Sequence, residues 1–117
     1  MVSQEDLLAI EEKLWTGGAD EYLDALDEEC LVAFTHMSGV ANREEIARTL
    51  SEAERWRDLE IDVEGLVQPS EDVAIMTYRA SSVRGENDRY AALVSSGYVN
   101  RDGSWKMIFH QQTPLVS

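Results

Sequence analysis

Apolar residues near the start of the chain recur at helical spacing: Leu7, Leu8, Ile10, Leu14 and Trp15 share one face. Ser3 followed by Asp6 resembles a capping box with the shorter acid in place of Glu. Gly17-Gly18 ends this predicted helix, because glycine accepts the left-handed cap conformation. Asp20 opens a second, shorter helix carrying Tyr22, Leu23 and Leu26 inward, with Glu21, Asp24, Asp27 and Glu28 on its surface. Residues 30–35 form a short continuous apolar run, read as a strand, and 36–40 a turn or second short strand. Asn42 with Glu45 is another capping signature. The helix it opens buries Ile46, Ala47, Leu50 and Ala53 and carries Trp56 near its end.

From residue 59 the period changes to two. Leu59, Ile61 and Val63 alternate with Glu60, Asp62 and Glu64. Pro69 to Asp72 reads as a turn, 73–83 as a long strand, 84–88 as an interruption and 90–100 as another long strand. Asp102-Gly103 is a two-residue hairpin signal, and 105–113 is the last strand, stopped by Pro114. Helices followed by a four-strand meander define an α+β fold with segregated elements. No crossover helix separates the later strands, so an antiparallel sheet is expected. Long twisted strands curl around what they cover. Helices against the concave face then close a cone.

Both faces of this sheet carry apolar residues. Val73, Ile75 and Thr77 point one way, and Ala74, Met76, Tyr78 and Ala80 the other. By the same parity Trp105, Met107 and Phe109 oppose Lys106, Ile108, His110 and Gln112. A sheet with one wet face should alternate apolar and polar. One helical layer covers one face, so the outer face calls for a homodimer partner.

Composition narrows the partners. A chain of 117 residues fits one domain spanning 1–117. Ten Lys and Arg against 23 Asp and Glu give a net charge of −13, which disfavours nucleic acid and anionic lipid surfaces. Cys30 lies in an apolar stretch and reads as a small buried hydrophobe. The acidic start lacks an apolar h-region and no apolar run reaches 18 residues, so a cytoplasmic protein without a membrane span is expected.

The sequence contains no glycine-rich phosphate loop, Cys-x-x-Cys, His-Glu-x-x-His or nucleophile elbow. No metal or cofactor is called for. His36 and His110 are the candidate catalytic groups, because imidazole titrates near neutrality and can act as a general base. The alternative for each is a structural histidine. A ligand pocket, mostly apolar with a few polar anchors, would draw on Trp15, Trp56, Tyr78 and Tyr90, with Ser96 and Gln112 as anchors. The same aromatics could instead fill the core.

Two features complete the pattern: the Gly103-Ser104-Trp105 hairpin into the last strand, and the close His110-Gln111-Gln112-Thr113-Pro114. With Gly39 ahead of the capped helix at Asn42, the chain resembles the nuclear transport factor 2-like superfamily over nearly its whole length. Within it, the resemblance is to SnoaL-like proteins and small bacterial domains related to the calcium/calmodulin-dependent kinase II association domain. It implies a cone-shaped, usually dimeric α+β barrel with a cavity between helices and sheet. Such folds include ketosteroid isomerases, polyketide cyclases, dehydratases and non-catalytic binding or assembly domains, so fold does not give function. The ketosteroid-isomerase pattern has no residue-by-residue match: Asp62 sits on the polar side of its strand and Tyr22 on a helix. Three readings stand. The first is a dimer binding a small hydrophobic or carbonyl-bearing ligand. The second is an isomerase, cyclase or hydrolase using a pocket histidine as base. The third is a non-catalytic assembly module.

Overall fold

Helix α1 (Gln4–Thr16) starts at the expected cap, where Ser3 Oγ accepts the Asp6 backbone N–H at 3.1 Å. The computed structural model describes residues 2–33, 39–50 and 56–115. Gly17 ends α1 in extended backbone (φ −76°, ψ 164°), not in the left-handed conformation. Glycine is needed there for space: a Cβ would meet the Lys13 carbonyl oxygen at 2.6 Å.

Helix α2 (Ala19–Ala25) is followed at once by β1 (Leu26–Ala33), four residues ahead of the expected strand. Leu26 is therefore the first strand residue and not helical. The acidic run after it resembles a helix surface in sequence. In the fold Asp27 instead turns to accept the Glu29 backbone N–H and both ends of the Arg101 guanidinium. Helix α3 (Arg43–Leu50) carries a reciprocal box: Asn42 Oδ1 accepts the Glu45 N–H at 3.0 Å, and Glu45 Oε1 accepts the Asn42 N–H at 3.3 Å. Trp56 lies outside this helix, its N–H donating to the Trp15 carbonyl at 3.3 Å. Ala53 and His36 lie outside the described residues.

The strands β2 (Arg57–Ser70), β3 (Val73–Arg84), β4 (Asp88–Arg101) and β5 (Ser104–Pro114) form an antiparallel meander, in the sheet order β1-β5-β4-β3-β2. The β4–β5 turn has positive φ at both Asp102 (53°) and Gly103 (93°), as a primed hairpin turn demands. One pairing departs from the antiparallel expectation. β1 joins the edge parallel to β5, the whole intervening chain serving as the connection.

Side-chain alternation runs through the central parts of β3 and β4. Ala74, Met76, Tyr78 and Ala80 face inward, as do Ala92, Val94, Ser96 and Tyr98. In β5 it fails. Gly97 pairs with Phe109 while Tyr98 pairs with Met107, which leaves Ile108 as an extra residue. This bulge reverses the parity. Met107 and His110, expected on opposite faces, are both buried inside, and Phe109, expected beside Met107, is exposed. A second irregularity skips Glu64 between the Val63–Tyr78 and Gly65–Thr77 pairs. Extra residues of this kind bend their strands, so both help the sheet curl over α1.

The core sits between α1, α2 and the concave face. Leu7, Ile10, Leu14 and Trp15 of α1 pack with Tyr22 and the inward residues of β3, β4 and β5. No helix among the described residues is long and apolar enough to cross a membrane.

Candidate functional site

The inward face of α1 contains a carboxylate. Glu11 lies one turn from Leu7 and three residues before Leu14, so the stripe that buries those leucines buries it too. It is fully buried. A bare carboxylate there would cost several kcal/mol, roughly the effective burial penalty of one ion. The sheet supplies donors instead. Tyr78 from β3 and Tyr98 from β4 each donate a hydroxyl to it, on Oε1 and Oε2 respectively. Ser96 Oγ reaches Oε1 at 3.3 Å. Burial still dominates over these three hydroxyls and pushes the Glu11 carboxyl up to about 7. Burial and the adjoining carboxylate push the Tyr78 and Tyr98 phenols upward, so both remain donors.

His110 stands behind Ser96 on the neighbouring strand, and the two residues pair directly in register. Its Nδ1 lies 2.8 Å from Ser96 Oγ and 3.6 Å from Glu11 Oε1. Its Nε2 lies 2.9 Å from the Gln112 amide nitrogen. Complete burial lowers the imidazole to about 3, so it is neutral at physiological pH. Tyr90 donates to Gln112 Oε1 at 2.9 Å and closes the polar chain at a half-buried position.

An aromatic wall flanks these groups. Trp15 Nε1 donates to the Tyr78 hydroxyl at 2.9 Å. Its ring meets Trp56 edge-on at 5.6 Å and Tyr90 at 6.1 Å, while Trp56 and Tyr90 lie 5.2 Å apart. Arg84 sits over the Trp56 ring at 4.5 Å, a cation–π contact. Trp15 is buried, whereas Trp56 and Tyr90 are half-buried.

The structure thus gathers Trp15, Trp56, Tyr78, Tyr90, Ser96, Gln112 and His110, seven of the eight candidates from the sequence. His36 lies outside the described residues. Sequence reasoning missed Glu11 and Tyr98. Glu11 was detectable: it occupies the a/d-like spacing of the apolar stripe, where an acid is out of place. Tyr98 shares its parity with Ser96.

A separate surface groove of about 560 Å³ is lined by residues including Asp24, Asp27, Glu28, Arg43, Arg101 and Lys106. Its charges largely satisfy one another. Arg101 chelates Asp27 at 3.1 Å, and Lys13 and Lys106 both reach Asp24. These contacts hold Asp24 and Asp27 below the usual carboxylate range. Among the described residues no three metal-ligating side chains gather.

No family model matches this sequence, and no curated protein matches it. Solved structures do. One is a protein of unknown function from Prochlorococcus sp. NATL2A, described as NTF2-like, with TM-score 0.82 and 19% identity over 100% of this chain and 96% of that one. The fold is that of the nuclear transport factor 2-like proteins. A candidate calcium/calmodulin-dependent protein kinase type II association domain from Thiobacillus denitrificans superposes with TM-score 0.77 and 18% identity, covering 97% and 96% of the two chains. A candidate ketosteroid isomerase from Parabacteroides distasonis gives 0.73 and 15% over 93% and 85%. In this nuclear transport factor 2-like cone, the acid comes from the first helix and its donors come from the sheet.

Proposed function

We propose that the protein binds a small hydrophobic molecule bearing a hydroxyl or carbonyl oxygen at the mouth of its cone. The observation that carries this reading is the joining of an aromatic wall to a buried proton-exchanging group. Trp56 and Tyr90 offer apolar surface, Gln112 and the Tyr90 hydroxyl offer polar anchors, and Glu11 lies behind with its carboxyl near neutrality. An apolar pocket with a few convergent polar groups is what such ligands need. The same arrangement suits proton transfer, with Glu11 as the base and His110 as the relay that reaches it.

The test uses 2-naphthol, a neutral aromatic alcohol, titrated while tryptophan fluorescence is followed. Saturable quenching is expected in the native protein. Trp56→Ala should weaken it at least tenfold while costing less stability than truncation of buried Trp15. No saturable signal from 2-naphthol or from cyclohexanone would refute the binding reading.

We further infer that a second copy covers the outer sheet face. Leu31, Phe109, Gly97, Ile75 and Val67 stand in direct register across all five strands, one residue per strand. The four side chains in this row are 56%, 44%, 43% and 58% exposed in the single chain. An apolar band spanning a whole sheet suits a two-fold, sheet-on-sheet contact in which the same residues meet from both copies. The likeness to a candidate association domain agrees with an assembling role. Sedimentation should show a dimer of the 13.2 kDa chain that Ile75→Glu with Phe109→Glu converts to a folded monomer. A monomeric native protein at micromolar concentration would end this proposal.

A further inference from the structure

Hydrogen-bond direction along the polar chain is set by its outer end. An amide nitrogen can only donate, so Gln112 Nε2 at 2.9 Å makes His110 Nε2 an acceptor. The neutral ring then carries its proton on Nδ1 and donates it to Ser96 Oγ at 2.8 Å. That leaves the Ser96 hydroxyl proton for Glu11, which in its ionised form can only accept. Tyr90 in turn donates to Gln112 Oε1 and thereby orients the amide. Every bond from the mouth to the buried acid points the same way.

We propose that Gln112 is a positioning residue that holds His110 in the neutral, Nδ1-protonated form, so that Gln112, His110, Ser96 and Glu11 form a directed path between the mouth and the buried carboxylate. The path deepens the binding reading by naming its ligand class: a molecule with an acidic hydroxyl, a phenol or an enol. Such a hydroxyl, on displacing the Gln112 amide, meets the lone pair of His110 Nε2. Its proton goes to Nε2, the Nδ1 proton passes to Ser96 Oγ, and the Ser96 proton passes to Glu11 Oε1. The electron pair of the broken O–H bond remains on the ligand oxygen. One negative charge thus moves from Glu11 to the ligand, with no other reactant required. Among the described residues the polar groups facing His110 are Ser96 of β4, Gln112 of β5 and Glu11 of α1, while Tyr78 and Tyr98 face Glu11.

The test is the tautomer itself, read from long-range proton–nitrogen NMR of uniformly labelled protein, with His110 assigned by comparison with His36→Gln. A pyrrole-type Nδ1 and a pyridine-type Nε2, unchanged from pH 8 to pH 5, are expected. An Nε2-protonated ring, or an imidazolium at pH 6, overturns the proposal. Gln112→Glu replaces the donor by an acceptor and should move the proton to Nε2. An unchanged His110 pattern in that folded variant also overturns it. These spectra need no ligand. A correct tautomer without 2-naphthol binding would therefore refute the binding reading and leave the path standing.

Discussion

Glu11→Gln is expected to make the protein lose stability on acidification between about pH 6.5 and 4.5 more steeply than the native protein, by about 1.4 kcal/mol per pH unit, the energy of one proton. Two buried groups with opposite displacements produce this. Burial raises the Glu11 carboxyl from 4.5 to about 7. Its contribution to stability is therefore fully present below pH 4.5 and is lost as pH rises through about 7. Burial lowers His110 from 6.5 to about 3. Its contribution is present above pH 6.5 and is lost as pH falls through about 3. Between pH 4.5 and 6.5 the folded chain holds one proton, on Glu11, and the unfolded chain holds one, on His110. The two slopes cancel. Glutamine removes the first and leaves the second. Over two pH units the difference reaches about 3 kcal/mol. The variant and native protein should be compared by urea denaturation at each pH, because the many surface acids cancel in the difference. His110→Gln should show the opposite slope. Parallel pH profiles for Glu11→Gln and native protein would show that the acid is not displaced as its burial requires.

Trp15→Ala is expected to cost about 3–5 kcal/mol, the usual price of emptying a buried aromatic site. Against a typical total stability of about 5–15 kcal/mol, that approaches loss of the fold at growth temperature. The ring fills the space between α1 and the sheet and supports both Trp56 and Tyr90. It also donates to the Tyr78 hydroxyl, which donates onward to Glu11. Trp15→Phe removes the indole N–H, along with part of the ring's volume, and a double-mutant cycle isolates the polar part. Removing the indole N–H and removing the hydroxyl in Tyr78→Phe should not add: roughly 0.5–3 kcal/mol of coupling is expected for partners in one network. Equilibrium denaturation of the two single variants and the double variant measures it. Additive costs would mean that the indole and phenol act separately.

Much of this arrangement was legible before folding was considered. The parity of residues 73–83 put Tyr78 on one face with Ala74, Met76 and Ala80, and the fold keeps that face inward because β3 pairs residue for residue with β4, without interruption. The Ser3 cap and the Asn42 capping box are local chemistry and stand where expected. Glu11 escaped notice for a different reason: its residue type argued for the surface while its position argued for the core. A carboxylate can take such a position only if the sheet provides hydroxyls, and those come from residues 67 and more positions away in the chain.

Periods of 3.6 and 2 and local caps were enough for the order of elements, the α+β class and the set of β3 residues that share a face. The rest was settled by contacts in three dimensions. The bulge at Ile108 depends on how β5 fits against β4, and it alone places His110 beside Ser96 on the same face as Met107. The start of β1 at Leu26 depends on Arg101 drawing Asp27 toward the sheet. Burial of Glu11 depends on two tyrosines and a serine converging on it. Each is a contact between distant residues, to which no local period is sensitive.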